Sequence, residues 1–440
     1  MRARRTIFCR TRRRGVVTPW VLLSLTVIIG IVAFGLDGGR MLQERRRIQA
    51  TADAAALAGA AQLYQNYRLW QGKDPEAKAK DAALSIAAAN GAANDGAASV
   101  VTVNIPPKSG AFAGKDAYVE VIVQSKLQAS FGRIFTGSDV TVQARAVARG
   151  RPAKIGVVTL SPSGAGALTT TGNGILAVVN AAITVNSTDP VALKVDSNGA
   201  LIAEAIDIAG NYQISGNGLI VGPIHTGVEP SADPLATLPV PDLAAYPVQS
   251  FSTLEINDKV TILNPGVYKG GINIGGNSSV TMKPGVYILD GGGLQIGGNA
   301  TLTAIEVMIY NASVSAPAGQ FRLSGNGKLT LVPPLSGTYQ GIALFQQRDL
   351  ADSIAVNGNG AAAVMGVLYA PAAAVNITGN AALGADVLGG GIIADTLRVS
   401  GNGSINIATA SEHEFQGQEY GINIDLRANY PNVPDITLVE

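Results

Sequence analysis

The stretch INIGGNSSVTM, Ile272 to Met282, returns 22 residues later as LQIGGNATLTA, Leu294 to Ala304. Related phrases follow at FRLSGNGKLTL from Phe321, IAVNGNGAAAV from Ile354, VNITGNAALGA from Val375 and LRVSGNGSINI from Leu397, and another stands upstream at YQISGNGLIVG from Tyr212. The Asn of each Gly-Asn pair falls at 173, 217, 277, 299, 326, 359, 380 and 402, with SNG at Asn198 as a degenerate member. Where the spacing is tight it is 22, 21 and 22 residues. That period is too short for a propeller blade of roughly 40 residues and fits one coil of a parallel β-helix. Gly and Asn tolerate positive φ, so each pair turns the chain between two strands. The flanking alternation of Ile272, Ile274, Val280 and Met282 sends apolar side chains into a shared interior. Stacking sets Asn277, Asn299, Asn326, Asn359, Asn380 and Asn402 one above another as a hydrogen-bonded ladder, expected to be internal. A lone coil cannot bury its apolar face, so repetition is what makes the core.

Composition agrees with a glycine-turned aliphatic β architecture: Gly is high at 53 residues, aromatics are 5% and charged residues 14%. The formal net charge of +1 conceals two unlike parts. Residues 1–150 carry 21 Lys/Arg against 10 Asp/Glu and residues 151–440 carry 11 against 21, giving +11 and −10. The acidic larger part argues against nucleic acid as a partner. Cys9 is the sole cysteine, which excludes an intrachain disulfide and a thiolate metal cage.

The chain begins with seven Arg and no acid in residues 1–14, and then runs uncharged from Gly15 to Leu36. As a helix those 22 residues span about 33 Å, enough for a hydrocarbon core of about 30 Å. The basic tail, Arg12, Arg13 and Arg14 included, is expected to stay cytoplasmic, exporting everything beyond Asp37 from a bacterial inner membrane. A cleaved signal peptide competes, since Ala33 and Gly35 are spaced like a cleavage site. Beyond the span the sequence stays helical, and Ala52, Ala56 and Ala60 form a small-residue stripe with Ile48. That stripe either packs on the protein's own globular part or docks a partner helix. Three alternating runs between Ala98 and Gly150 read as strands of a small antiparallel sheet, so residues 37–150 form a helix-plus-sheet domain. The apolar FGRIFTG, Phe131 to Gly137, is expected to pack on the helix.

The segment Arg13 to Ala60 resembles the N-terminal module of TadE/TadG-like proteins of the bacterial tight-adherence (Flp) pilus machinery. The features that carry the resemblance are the apolar helix, Asp37 and Arg40 at its end, then Leu42, Gln49 and ADAAALAGA from Ala52 to Ala60. The phrases PGVY, GGN, GIALFQQRD and GVLYAP look like the C-terminal region of TadG-type proteins. The resemblance implies a membrane-anchored exported protein of pilus assembly or adhesion without catalytic activity, with the membrane and other pilus-assembly components as partners.

The β-helix is expected over 151–410 and a C-terminal tail over 411–440. Six prolines from Pro223 to Pro247 mark an extended excursion over 222–250, and Pro333 to Ser353 reads as the longest loop bulging from the stack. Parallel β-helices also bind or cleave polysaccharides, and such a site gathers charges one coil apart. None of the acids from Asp290 to Asp395 has another acid 21 to 23 residues later, and the Glu306/Lys328 pair reads as a surface ion pair. Glu412, His413, Glu414 and Glu419 read as a solvated loop in preference to a cation site. The sequence therefore points to no catalytic residue, metal or cofactor.

Overall fold

The computed structural model describes residues 17–127, 139–152, 155–315, 317, 319–386, 391–408 and 434–439. The chain divides into one unit made of residues 1–151 and 435–440 and a second made of 152–434.

In the first unit, helix α1 (Val17–Gln65) runs unbroken for 49 residues, about 74 Å at the usual rise. Among the described residues its large apolar side chains from Val17 to Leu42 are exposed, and burial begins only at Ile48. From there α1 packs on α2 (Lys78–Ala89) and on an antiparallel sheet of β1 (Ser99–Asn104), β2 (Tyr118–Leu127) and β3 (Val140–Pro152). The strand Pro434–Leu438 adds to the β3 edge, so the expected C-terminal tail ends as part of this sheet. The residues between helix and sheet are small because the two come very close: a Cβ on Gly150 would stand 1.9 Å from the Ala60 carbonyl oxygen.

The second unit is a parallel β-solenoid of about ten turns. A coil has three strands, as in Gly266–Lys269, Ile272–Gly275 and Ser279–Met282, and each pairs in parallel with its equivalent in the next coil. Three sheets result: one before the Gly-Asn turn, one after it, and a third. Alternate residues of the first two point inward, so Ile272, Ile274, Val280 and Met282 are buried while Asn273, Ser279 and Thr281 are not. A void among Phe321, Leu344, Ile354 and Leu368 measures about 10 Å³, no more than about one water needs, and its lining is wholly apolar.

The coils are not stacked in chain order. Residues 254–408 wind upward, and the coil they finish with, 391–408, pairs with 157–159, 168–170 and 175–179 from the start of the unit. The chain thus enters mid-stack and winds to one free end at Ile224–Thr226. It then returns to the other end to begin again at Val248–Ser250. Ten strand spacings separate those ends in the third sheet, about 48 Å. The 21 residues 227–247 reach about 70 Å when extended, so the proline-rich segment spans the distance as an extended strap. The strap is shorter than the expected 222–250, since both of its flanks are strands.

The strap covers the outer face of the third sheet. Ile288, Tyr310, Phe345, Tyr369 and Ile393 stand in register there, and Leu235, Leu238, Leu243 and Tyr246 pack over them. With both faces covered, Val307–Ala312 and Ile342–Gln346 are buried at every residue. The expected loop Pro333 to Ser353 is corrected accordingly, because its apolar centre is a strand buried on both sides.

Candidate functional site

Each Gly of a Gly-Asn turn sits at positive φ, for example 64° at Gly298 and 67° at Gly325. A Cβ on Gly298 would meet the Gly276 carbonyl oxygen at 2.7 Å, so the turn needs glycine for close approach as well as for conformation. Ser197 takes that position at φ 60°, which accounts for the degenerate SNG. The rung Asn then makes two bonds to the coil beneath. The backbone N–H of Asn299 donates to Gly276 O at 2.9 Å and its Nδ2 donates to Asn277 Oδ1 at 3.0 Å. The side-chain bonds continue through Asn326, Asn359, Asn380 and Asn402, at 2.9–3.1 Å. They cross to Asn173 at 2.8 Å and run on through Asn198 to Asn217. Nine rungs form one row joined by eight bonds. All nine are exposed, which corrects the expectation of an internal ladder. They sit at the outer corner between two sheets because the interior is taken by the strand residues on either side of the turn.

At the base of the stack Asp258 replaces the Gly-Asn pair, and its Oδ1 accepts the Asn277 N–H at 2.8 Å. The strap is pinned by Arg348, whose Nη2 donates to Leu235 O at 3.0 Å and Leu238 O at 2.6 Å and whose Nε donates to the Tyr369 hydroxyl at 3.1 Å. The guanidinium lies 5.2 Å from the Phe345 ring and 5.7 Å from that of Tyr369. The Tyr369 hydroxyl in turn donates to Asp233 at 2.6 Å. In the first unit Glu120 is buried and accepts from Ser109, Arg145, Asn104 and the Lys108 N–H. Burial raises this carboxyl, but those bonds outweigh it and hold it at about 2. A cleft of about 410 Å³ lies beside Asp74, Lys80, Asn104 and Lys108.

Ala52, Ala56 and Ala60 are fully buried against the protein's own β2 strand and α2 helix region. The docking reading of this stripe is corrected: the small side chains permit the approach of α1 to its own sheet and leave nothing for a partner helix. Arg12, Arg13 and Arg14, the FGRIFTG loop and the Glu412, His413, Glu414 and Glu419 cluster lie outside the described residues. Among the described residues no group of three or more His, Cys, Asp or Glu is placed to hold a metal ion. His225 pairs with Asp207 at 2.7 Å on the exposed end coil. Sequence reasoning missed Arg348, although ALFQQRD joins a buried-strand pattern to a charge.

The molecule is an exposed apolar helix grown into a small helix-and-sheet unit, with a parallel β-solenoid as the bulk of the chain. Residues 15–62 match the family model described as putative Flp pilus-assembly TadE/G-like. No curated protein and no solved structure matches the chain. The apolar stretch of α1 is long enough to cross a membrane, and none of it is buried inside the protein, which is consistent with a single-pass anchor. Anchor, family match and solenoid together fit a Flp/Tad-related exported protein.

Proposed function

We propose that the chain is a non-enzymatic component of a Flp/Tad pilus-assembly or adhesion apparatus, held in the inner membrane by α1 and presenting its solenoid on the exported side. The observation that carries this reading is the continuity of α1. One helix is uncharged over Val17–Leu36 with its described side chains outside the core, becomes core from Ile48, and coincides with the family match. A helix that binds lipid at one end and is welded into a domain at the other holds that domain next to the bilayer.

The test is protease added to spheroplasts of the native host, with immunoblots for both ends of the chain. Digestion beyond Asp37 that leaves a small membrane-held fragment supports the orientation, and a full-length shielded protein refutes it. Deleting the gene should abolish surface pili or attachment, with rescue by the full chain; unaltered piliation and attachment refute the assignment to the apparatus.

A further inference from the structure

The acidic unit keeps its acids away from one place. Within five residues of each of the seven rungs from Asn277 up to Asn173 there are three cations, Arg322, Lys328 and Arg398, and no Asp or Glu. All three cations are exposed, and among the described residues none has an ion-pair partner, which corrects the expected Glu306/Lys328 pair. Acids stand at the two ends of the row: Asp258 accepts the Asn277 N–H at the base, and Asp196, beside Asn198, is paired with Lys194 at 3.4 Å. The corner is therefore neutral to positive from the Asn299 rung to the Asn173 rung, above Asp258 and Glu255, which bond to Asn277 and Asn273 at the base, on a part of the chain with net charge −10.

The rungs have a fixed remaining valence. An Asn amide offers two N–H donors and two lone pairs on its oxygen. Each internal rung spends one donor and one acceptor on its neighbours and keeps one of each facing solvent. The result is a straight row of alternating donors and acceptors, about 4.8 Å apart and about 38 Å long.

We propose that this corner binds a linear, uronic-acid-containing polysaccharide laid along the stack. Hydroxyl groups on successive sugars satisfy the free N–H and lone pair of successive rungs, the coil spacing being close to the length of a pyranose unit. Carboxylates meet Arg322 and Lys328, which flank the Asn326 rung, and Arg398, three coils further on at about 14 Å. A nucleic acid, with one charge per about 1.7 Å of duplex, is far too dense in charge for three cations spread over this length. This inference is independent of the anchoring role.

The test uses the full chain in detergent micelles, titrated with octameric oligogalacturonate and oligomannuronate, with maltooctaose as the neutral comparator and polyphosphate as the dense one. At least one uronate is expected to bind, more weakly as salt rises and more tightly than either comparator. Arg322→Gln/Lys328→Gln/Arg398→Gln is expected to weaken that binding at least tenfold with an unchanged melting temperature. Lys80→Gln/Lys108→Gln, in the other unit, should leave it unaltered. Asn326→Asp, which removes a donor and adds a negative charge in the row, is expected to weaken it by a similar factor. No binding of either uronate up to millimolar concentration overturns the proposal. So does binding that survives the triple substitution, or polyphosphate binding as tight as the uronate.

Discussion

In the first unit one missing side chain and one buried carboxylate carry separate, measurable contributions to stability. Gly150 carries no Cβ because Ala60 leaves it no room, and Gly150→Ala forces helix and sheet apart. The substitution should cost about 3 kcal/mol, at the upper end of overpacking penalties, measured by denaturant melts of the full chain. A loss no larger than that of a surface Gly→Ala would mean that the contact is looser than described. Glu120 makes a pH-dependent contribution. Its folded pKa of about 2 lies below the ordinary 4.5, so the stability it adds is fully present above 4.5 and drains away as pH falls toward 2. Glu120→Gln should be less stable than the parent at pH 7 and should lack the parent's slope between pH 4.5 and 2. Melts at pH 7, 4 and 3 check this, and parallel slopes for the two proteins would exclude the Glu120 network as the source.

At the scale of elements, the turn and the strap behave differently under mutation. Because the rungs are exposed, Asn299→Asp loses one solvent-competed hydrogen bond and should cost no more than about 1 kcal/mol. The strap depends on one guanidinium. Lys in place of Arg348 cannot fork to two carbonyls and a hydroxyl while lying against two rings, so Arg348→Lys should cost about 2 kcal/mol. It should also speed amide exchange in residues 227–247, read by hydrogen-exchange mass spectrometry; unaltered exchange there would show that the leucines hold the strap unaided. Much of this was legible beforehand. The 22-residue period fixed the coil, the Gly-Asn pair fixed its turn, and the six prolines marked the strap. The side of the chain facing each environment was less legible. The Asn ladder follows equally from an inner or an outer corner, and an alanine stripe suits any close helix contact, whether with a partner or with β2 and β3. The buried strand Ile342–Gln346 was hidden by the Pro-Pro and Gly around it, although its unbroken apolar run is what burial on both faces requires.

At the scale of the molecule, the order of the coils is the property that sequence leaves open. Every coil offers the same inward aliphatics and the same rung, so residues 397–407 fit as well beneath 168–178 as they do above 375–385. What selects the observed order is the length and apolar face of the strap, which lets the chain leave one end of the stack and restart at the other. The consequence is a contact between Asn402 and Asn173, 229 residues apart in sequence, and a wide separation between Asn217 and Asn277, the top and bottom rungs. A stack in chain order reverses both relations: it puts 217 beside 277 and holds 173 and 402 about 38 Å apart. Cysteine pairs separate the two arrangements, since adjacent strands place Cα atoms within disulfide reach and Cys9 is the only native thiol to remove. In a Cys9→Ser background, Asn173→Cys/Asn402→Cys should cross-link on mild oxidation and shift on a non-reducing gel. Asn217→Cys/Asn277→Cys should stay reduced within the monomer. The opposite pattern would mean that the solenoid is wound in chain order, leaving the strap a surface loop with no distance to span.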